Sequence, residues 1–406
     1  MEEGKMKRTT KALIALSVFA VFSGLTMPPR DAHADKWVID GDTAFEALEN
    51  NDEWLYTESA NQNGDSHVEL KDKPSNNTVI FKNITDSKGF GVAGGRGSGE
   101  TLNNTLIIDN STITANWIEG AYSYDSDANY NTVIINDSTI NAHVYGGDSH
   151  HGDAKDNTII ISGNSDINGN IYGGYAMVPE GEEVEGQKSG NADNNTIIIK
   201  DNAQMDGAQI YGGYVSITEA MDDLDNLTEE SFQKRNNTLT LDGWSGTITR
   251  VRSCDNVNFY NIKLSDFVSS DLNNSKPILI IKGTGAYDSF KNIIGADGKE
   301  ITGADGTTTK DINIGLSFEG GQDIKAGETI RLVQIGAGDA TVDENKGKKI
   351  KLANEGVSYA GVAQKVVGEL SFDDISNKYI DYTVKSVDLN EQANVVNEGR
   401  AAAAAF

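Results

Sequence analysis

Cysteine is almost missing from this chain: its 406 residues hold one, Cys254. That excludes a disulfide framework. With no second Cys and no nearby His, the thiol in "RVRSCDNVNF" reads as a small buried hydrophobe and not as a nucleophile. Basic charge is scarce too, with 34 Lys and Arg against 61 Asp and Glu and a net charge of −27. So acidic a chain repels nucleic acid and anionic membrane surfaces and resists self-association. Beyond residue 34 no apolar run approaches the ~20 residues of a membrane-spanning helix. Stability must then come from a large core, which a long chain can build.

The first 34 residues stand apart from the rest. Lys5, Lys7, Arg8 and Lys11 precede the apolar stretch "ALIALSVFAVFSGLTM" (12–27), and Ala32-His33-Ala34 offers a small-x-small cleavage site. This is the pattern of a secretory signal peptide cut between Ala34 and Asp35. Removing it takes 5 basic and 3 acidic side chains from the 34 and 61, leaving 29 against 58 in an exported chain of charge −29.

What the chain has in plenty is one phrase. "NNTVIF" (76–81), "NNTLII" (103–108), "YNTVII" (130–135), "DNTIII" (156–161), "NNTIII" (194–199) and "NNTLTL" (236–241) place threonines at 78, 105, 132, 158, 196 and 238. The steps are 27, 27, 26, 38 and 42 residues, a fixed period with later insertions and the mark of a stacked-repeat architecture.

Each phrase leads into a short strand of β-branched and apolar residues. A polar turn follows, then a second strand near Ile113, Ile140, Ile167 or Met205, and a third near Ile118, Val144, Ile171 or Ile210. Nothing here has helix length. The pattern predicts an all-β, right-handed parallel β-helix, with three short strands per coil of about 26 residues over 76–264. Side chains alternate across a strand. The apolar pairs Val79/Phe81, Leu106/Ile108, Val133/Ile135, Ile159/Ile161, Ile197/Ile199 and Leu239/Leu241 therefore face inward. The residue between them, Thr240 in the last copy, faces out. The asparagines at the strand entrances suit a tight bend, where Asn tolerates the left-handed conformation and bonds to its own backbone.

"IYGGY" occurs twice, at 171–175 and 210–214, after "VYGGD" at 144–148 and the looser "GVAGGR" (91–96) and "IEGAYS" (118–123). A phosphate-binding loop needs a following helix N-terminus, and none is predicted here. The expectation is a recurring corner in which Gly-Gly supplies positive φ and the tyrosines stack coil on coil.

Other motifs carry less. Gly147-Asp148-Ser149 resembles a serine-hydrolase motif without its following Gly or Leu. His150-His151-x-Asp153 offers metal-ligand types on one loop, and Asp125-x-Asp127-x-Asn129 starts like a calcium loop but has Tyr130 where Gly is needed. The expectation is no catalytic residue, no cofactor and no metal.

The insertions at 176–193 and 215–235 both leave the coil after the YGGY corner and should project from one edge. Loops gathered on one solenoid face commonly bind. Residues 35–75 read as an N-terminal cap, with Thr43 and Glu46 as a capping box and Trp37 and Trp54 over the open end of the first coil. From 265 to 389 the period fades into strands at 276–283, 312–321, 326–336 and 379–389, ahead of a helical linker at 390–406.

The exported repeat region, the segment "IKAGETIRLVQIGAG" and the ending "YTVKSVDLNEQANVVNEGRAAAAAF" together resemble an autotransporter of the type V secretion pathway. The resemblance covers nearly all of residues 1–406. It implies a passenger with a β-rich stabilising segment and a linker threading an outer-membrane β-barrel. It also implies passage across the outer membrane unfolded, for which a lack of disulfides is suited. The sequence carries no barrel, so the expectation is a fragment, or delivery through the barrel of a separate chain. The expected function is that of a non-catalytic adhesin or interaction protein, shown at the bacterial surface or released, that contacts a ligand on host or neighbouring cells and not nucleic acid. The alternative is a secreted β-helical polysaccharide lyase or hydrolase, for which Arg250-x-Arg252 is the pair of cations in hand.

Overall fold

The alternation read from the repeats fixes the architecture. In the computed structural model the described residues are 35–50, 54–57, 67–70, 73–178, 190–217, 235–268, 275–282, 311–320, 322–335, 351–352, 354, 356–361, 364–372 and 379–389. The expected signal peptide, most of both acidic insertions and the linker at 390–406 lie outside them.

The Asn-Thr phrases become successive rungs of one parallel sheet of ten strands. It begins at Asp35–Asp40, passes through the six repeat strands from Asn77–Lys82 to Thr238–Asp242, and continues to Asn256–Ile262, Asp311–Phe318 and Lys351–Leu352. Thr78, Thr105, Thr132, Thr158, Thr196 and Thr238 are register partners in turn. Each inward pair is sealed, with Val79 and Phe81, Val133 and Ile135, and Ile197 and Ile199 all at 0% exposure. The fold is a parallel β-helix.

Its extent is wider than 76–264. Trp37 and Ile39 pair with Val79 and Phe81, so Asp35–Asp40 is a rung and Trp37 lies in the inward row, not across the coil's end. The side chain of Trp54 lies outside the described residues. A short helix, Asp42–Glu46, buries Phe45 edge-on against Phe81 at 5.9 Å. Its N-cap is Gly41, at φ 82°, with no side-chain cap. The Thr43/Glu46 capping box is therefore corrected: Thr43 is inside the helix, and Asp42 instead accepts hydrogen bonds from Thr85 of the next coil. At the other end Val257 and Phe259 pair with Ile314 and Leu316, carrying the same core past residue 264.

The second and third expected strands stay separate in one coil, as Asp166–Ile167 and Ile171–Tyr172, and merge in two others. Thr112–Glu119 and Thr139–Tyr145 are single strands spanning both expected positions, paired in register with a bulge between Asn141 and His143. They belong to a second sheet that runs from Trp54–Thr57 to Arg250–Arg252, parallel except for its first, antiparallel pair. The third face lies beyond the glycine pair. It is a five-stranded parallel sheet of Arg96–Gly97, Tyr122–Ser123, Asp148–Ser149, Tyr175–Val178 and Tyr214–Ile217. A fourth, mixed sheet stacks Gly246–Ile248, Leu279–Ile281 and Thr329–Ile335 in parallel, then closes with the antiparallel strands Tyr379–Leu389, Gln364–Phe372 and Gly356–Ala360. Three of the strands expected in the C-terminal segment, at 276–283, 326–336 and 379–389, lie in this sheet. The one at 312–321 is a rung of the first sheet, and Gln364–Phe372 and Gly356–Ala360 were not expected.

Two residues at each strand entrance divide the work, both of them asparagine in four of the six repeats. The first takes the bend: Asn76, Asn103, Asn194 and Asn236 have φ of 57–62°, with Tyr130 and Asp156 at 61° and 56° in the other two coils. The second bonds to the neighbouring coil, and not to its own backbone as expected. Asn77, Asn104, Asn131, Asn157, Asn195 and Asn237 form one buried ladder, each Nδ2 up to Asn195 donating to the next Oδ1 at 3.0–3.2 Å.

Candidate functional site

The glycine corner packs directly on that ladder. A Cβ on Gly94, Gly120, Gly146, Gly173 or Gly212 would stand 2.3–2.5 Å from the carbonyl oxygen of the next coil. On Gly147, Gly174 or Gly213 it would stand 2.6–2.7 Å from the amide nitrogen of Asn157, Asn195 or Asn237. None of these glycines has positive φ. The glycine pair is thus required by close approach and not by left-handed backbone, which corrects the expectation.

Outside the glycines, side chains line up in two rows. Glu119, Tyr145, Tyr172, Tyr211 and Arg252 are register partners at the end of the second sheet. Arg96, Tyr122, Asp148, Tyr175 and Tyr214 are partners at the start of the third. Val144 and Ser149, next in the chain to Tyr145 and Asp148, are inward at 0% exposure. Alternation therefore turns both rows away from the core, with Glu119, Asp148, Tyr211 and Arg252 buried among their neighbours and the others half-buried.

The rings stack as expected and also meet across the corner. Tyr145–Tyr172 and Tyr172–Tyr211 are offset stacks with centroids 4.8 Å apart, and Tyr175–Tyr214 stack at 5.2 Å. Between rows, Tyr172–Tyr175 and Tyr211–Tyr214 are edge-to-face at 5.6 and 5.3 Å. Outward side chains diverge at a convex corner. These converge, so the corner is re-entrant and makes a groove along the solenoid axis.

One end of the groove is charged. The Arg96 guanidinium lies over the rings of Tyr122 (4.0 Å) and Trp117 (4.9 Å), with Nη1 3.7 Å from Oε2 of Glu119. His150 Nδ1 is 3.3 Å from the Tyr122 hydroxyl, and its Nε2 is 3.9 Å from Oδ1 of Asp148. Tyr124 and His151 extend the aromatic edge, 5.3 Å apart. Glu119 and Asp148 are 2% and 7% exposed, so an acid pair, a guanidinium and an imidazole share a largely dry site. At the far end Arg252 sits 5.9 Å from the Tyr211 ring.

Burial sets the ionisation of the phenols. It pushes Tyr145 and Tyr122 well above the ordinary tyrosine range and Tyr172 and Tyr175 up to about 12, with the Asp148 charge adding to the rise at Tyr145, Tyr122 and Tyr175. At neutral pH these groups are protonated donors. They are not poised as bases. Burial also lowers His143.

The other singled-out residues are occupied by the scaffold. Ser149 is inward and donates to the carbonyl of Ser126 at 2.7 Å. Asp153 Oδ1 accepts from the amide and Nδ2 of Asn191 at 2.9 and 3.0 Å, and its other oxygen pairs with Lys155, so it does not converge with His150 and His151. Asp127 accepts from the amide of Asp153 and Asn129 from that of Lys155, which makes the calcium-like sequence a coil-to-coil brace. Cys254 is buried and its thiol is pushed far up by burial. Among the described residues no group of three or more His, Cys, Asp or Glu is arranged to hold a metal ion. An acid–arginine cluster forms around Arg96.

Glu119, Trp117 and Tyr122 were not singled out from the sequence as site residues, and Asp148 only within the Gly147-Asp148-Ser149 motif. The signal was available: each stands beside the glycine position of its coil, but the early coils spell the corner loosely.

No protein-family model, curated protein or solved structure matches the chain.

Proposed function

We propose that this chain is an exported, surface-displayed binding protein, a non-catalytic passenger of autotransporter type whose contact surface is the tyrosine-lined corner. The observation that carries the reading is the double row of outward tyrosines, held protonated along a groove while Ser149, Asp153 and Cys254 are bound into the scaffold. Tyrosine brings a rigid, amphipathic contact face at small cost in conformational entropy. The outward row of the first sheet is aliphatic or polar, as at Ile107, Ile134 and Thr240, whereas at this corner the tyrosines stack in register. The acidic insertions leave the coil beside it.

The test is attachment of the purified chain to cells or extracellular matrix. Attachment should fall when Tyr172 and Tyr175 are both replaced by Ala and should persist with Lys385→Ala, an exposed residue of the fourth sheet.

A second reading is favoured by one observation: Arg96, Glu119, Asp148 and His150 gather at one end of the same groove. Paired carboxylates with a cation are what hydrolysis or elimination of a polysaccharide uses. Turnover of any polysaccharide, abolished by Glu119→Gln or Asp148→Asn with folding intact, would replace the binding reading by this one.

A further inference from the structure

We infer that the tyrosine corner holds an extended, uncharged glycan chain lying parallel to the solenoid axis. The inference rests on the binding reading above and names its ligand class. Its first support is the spacing. The groove repeats with the coils, at the ~4.8 Å separation of neighbouring strands, and an extended pyranose chain advances by about the same distance per sugar. Glu119, Tyr211 and Arg252 are buried, but four successive coils each present a half-buried tyrosine, Tyr122, Tyr145, Tyr172 with Tyr175, and Tyr214, room for about three or four sugars in one line.

The surface chemistry is the second support. Offset stacking at 4.8 and 5.2 Å leaves part of each tyrosine face uncovered, and the apolar face of a sugar ring can lie on it. The phenol hydroxyls are held in fixed directions by Asn170 on Tyr172 (3.0 Å), by Gln209 on Tyr211 (3.2 Å) and by Ser216 on Tyr175. These amide and hydroxyl groups are neutral and spaced with the rungs, as recognition of successive sugar hydroxyls requires.

Charge decides against the other polymers. At the groove's charged end Arg96 faces Glu119 and His150 faces Asp148, so those cations are matched within the protein. The chain's net charge of −27 repels a polyanion. A peptide added as an extra strand needs open backbone groups. Here the corner backbone is already paired, with the amides of Gly120, Gly146, Gly173 and Gly212 donating to Tyr145, Tyr172, Tyr211 and Arg252 carbonyls at 2.8–2.9 Å.

The experiment is calorimetric titration of the full exported chain with neutral linear oligosaccharides of glucose, xylose and N-acetylglucosamine, from two units to six. Affinity should rise with length and level off at three or four units. Tyr172→Ala and Tyr175→Ala should each weaken it about tenfold or more, as loss of a central aromatic anchor does, and Tyr172→Phe should change it only a few-fold. Tyr172→Leu, which keeps apolar volume in the stack, separates binding from folding: with an unchanged unfolding midpoint it should still lose affinity. If no neutral oligosaccharide binds, or if binding ignores the Ala and Leu variants, the glycan assignment is overturned. Should polygalacturonate or a peptide bind in the groove instead, it is likewise overturned. Cell attachment measured in parallel keeps the two levels apart. Attachment that depends on Tyr172 and Tyr175 without oligosaccharide binding leaves the binding reading standing and removes only the glycan.

Discussion

Asn157 and Asn195 are 38 residues apart and doubly bonded: the backbone amide and Nδ2 of Asn157 both donate to Oδ1 of Asn195, at 3.0 and 3.1 Å. The chain between them includes an acidic insertion, yet the ladder passes through without a break. Its neighbours obey the same geometry, so the ladder ties six coils through buried asparagine side chains and their backbone amides.

Removing a middle member should therefore be costly. Asn131 donates to Asn157 and to the Thr101 carbonyl and accepts from the amide and Nδ2 of Asn104. Asn131→Ala leaves several buried groups without partners, at about 1–3 kcal/mol each. We expect a loss on the order of 3 kcal/mol by urea denaturation, and a smaller one for Asn77→Ala at the first rung of the ladder. Equal losses at both positions would show that the ladder is not what holds the coils.

The corner glycines make a sharper contrast. A methyl group on Gly173 would stand 2.3 Å from the Gly212 carbonyl and 2.8 Å from Cβ of Asn195. One on Gly99 meets nothing within 4 Å. Gly173→Ala should lower stability by about 2 kcal/mol or more through overpacking, and Gly99→Ala should stay within about 0.5 kcal/mol. Thermal unfolding of the two variants beside the parent decides it.

The long sheet gives a test of facing. Ile135 is at 0% exposure and Ile134, its neighbour, is half-buried on the outer side. Ile135→Ala should cost about 2–5 kcal/mol by opening a cavity. Ile134→Thr should cost under about 1 kcal/mol, since Thr240 already fills that row two rungs beyond Ile160. A reversal of the two costs would invert the inside and outside of the solenoid.

Much of this was legible because period and alternation are local signals. Val79/Phe81 and their five successors announce an inward row by sequence alone, and Cys254 was readable as buried. The ladder was not legible, because Asn157 and Asn195 meet only when coils stack and sequence spacing does not say which Asn side chain faces in. The glycine clash was hidden for the same reason: its partner is a backbone carbonyl one coil away. The rung at Asn256–Ile262 falls within the expected 76–264 but was not named as a repeat strand, because it begins without the Asn-Thr pair and follows its predecessor by only 18 residues in register. The charged end of the groove was hidden by spelling, Glu119-Gly120-Ala121-Tyr122 where later coils read Tyr-Gly-Gly-Tyr.

Alkaline pH should reveal the tyrosine corner. Tyr172 and Tyr175 are pushed up to about 12 by burial, against an ordinary value of 10.0. The native state therefore keeps protons that the unfolded chain loses. That contribution is fully present below pH 10 and disappears as pH rises through the native values near 12. Stability measured by denaturant should fall over this interval. The fall should be shallower in a Tyr172→Phe/Tyr175→Phe double variant, and an identical slope would mean that these phenols titrate as exposed groups.

The exits of the two insertions, Val178 and Ile217, are register partners on the third sheet, and the chain re-enters the ladder at Asn195 and Asn237 with spacing unchanged. Length along the axis and length at the edge are thus independent quantities in this molecule. One is counted in rungs and set by the Asn and Gly columns. The other is free, since residues spliced between Val178 and Gly190 displace no rung. Such a chain works as a ruled rod with a fixed mounting point, on which segments of different length and charge can be exchanged while the distance between one mounting point and the next stays one strand spacing.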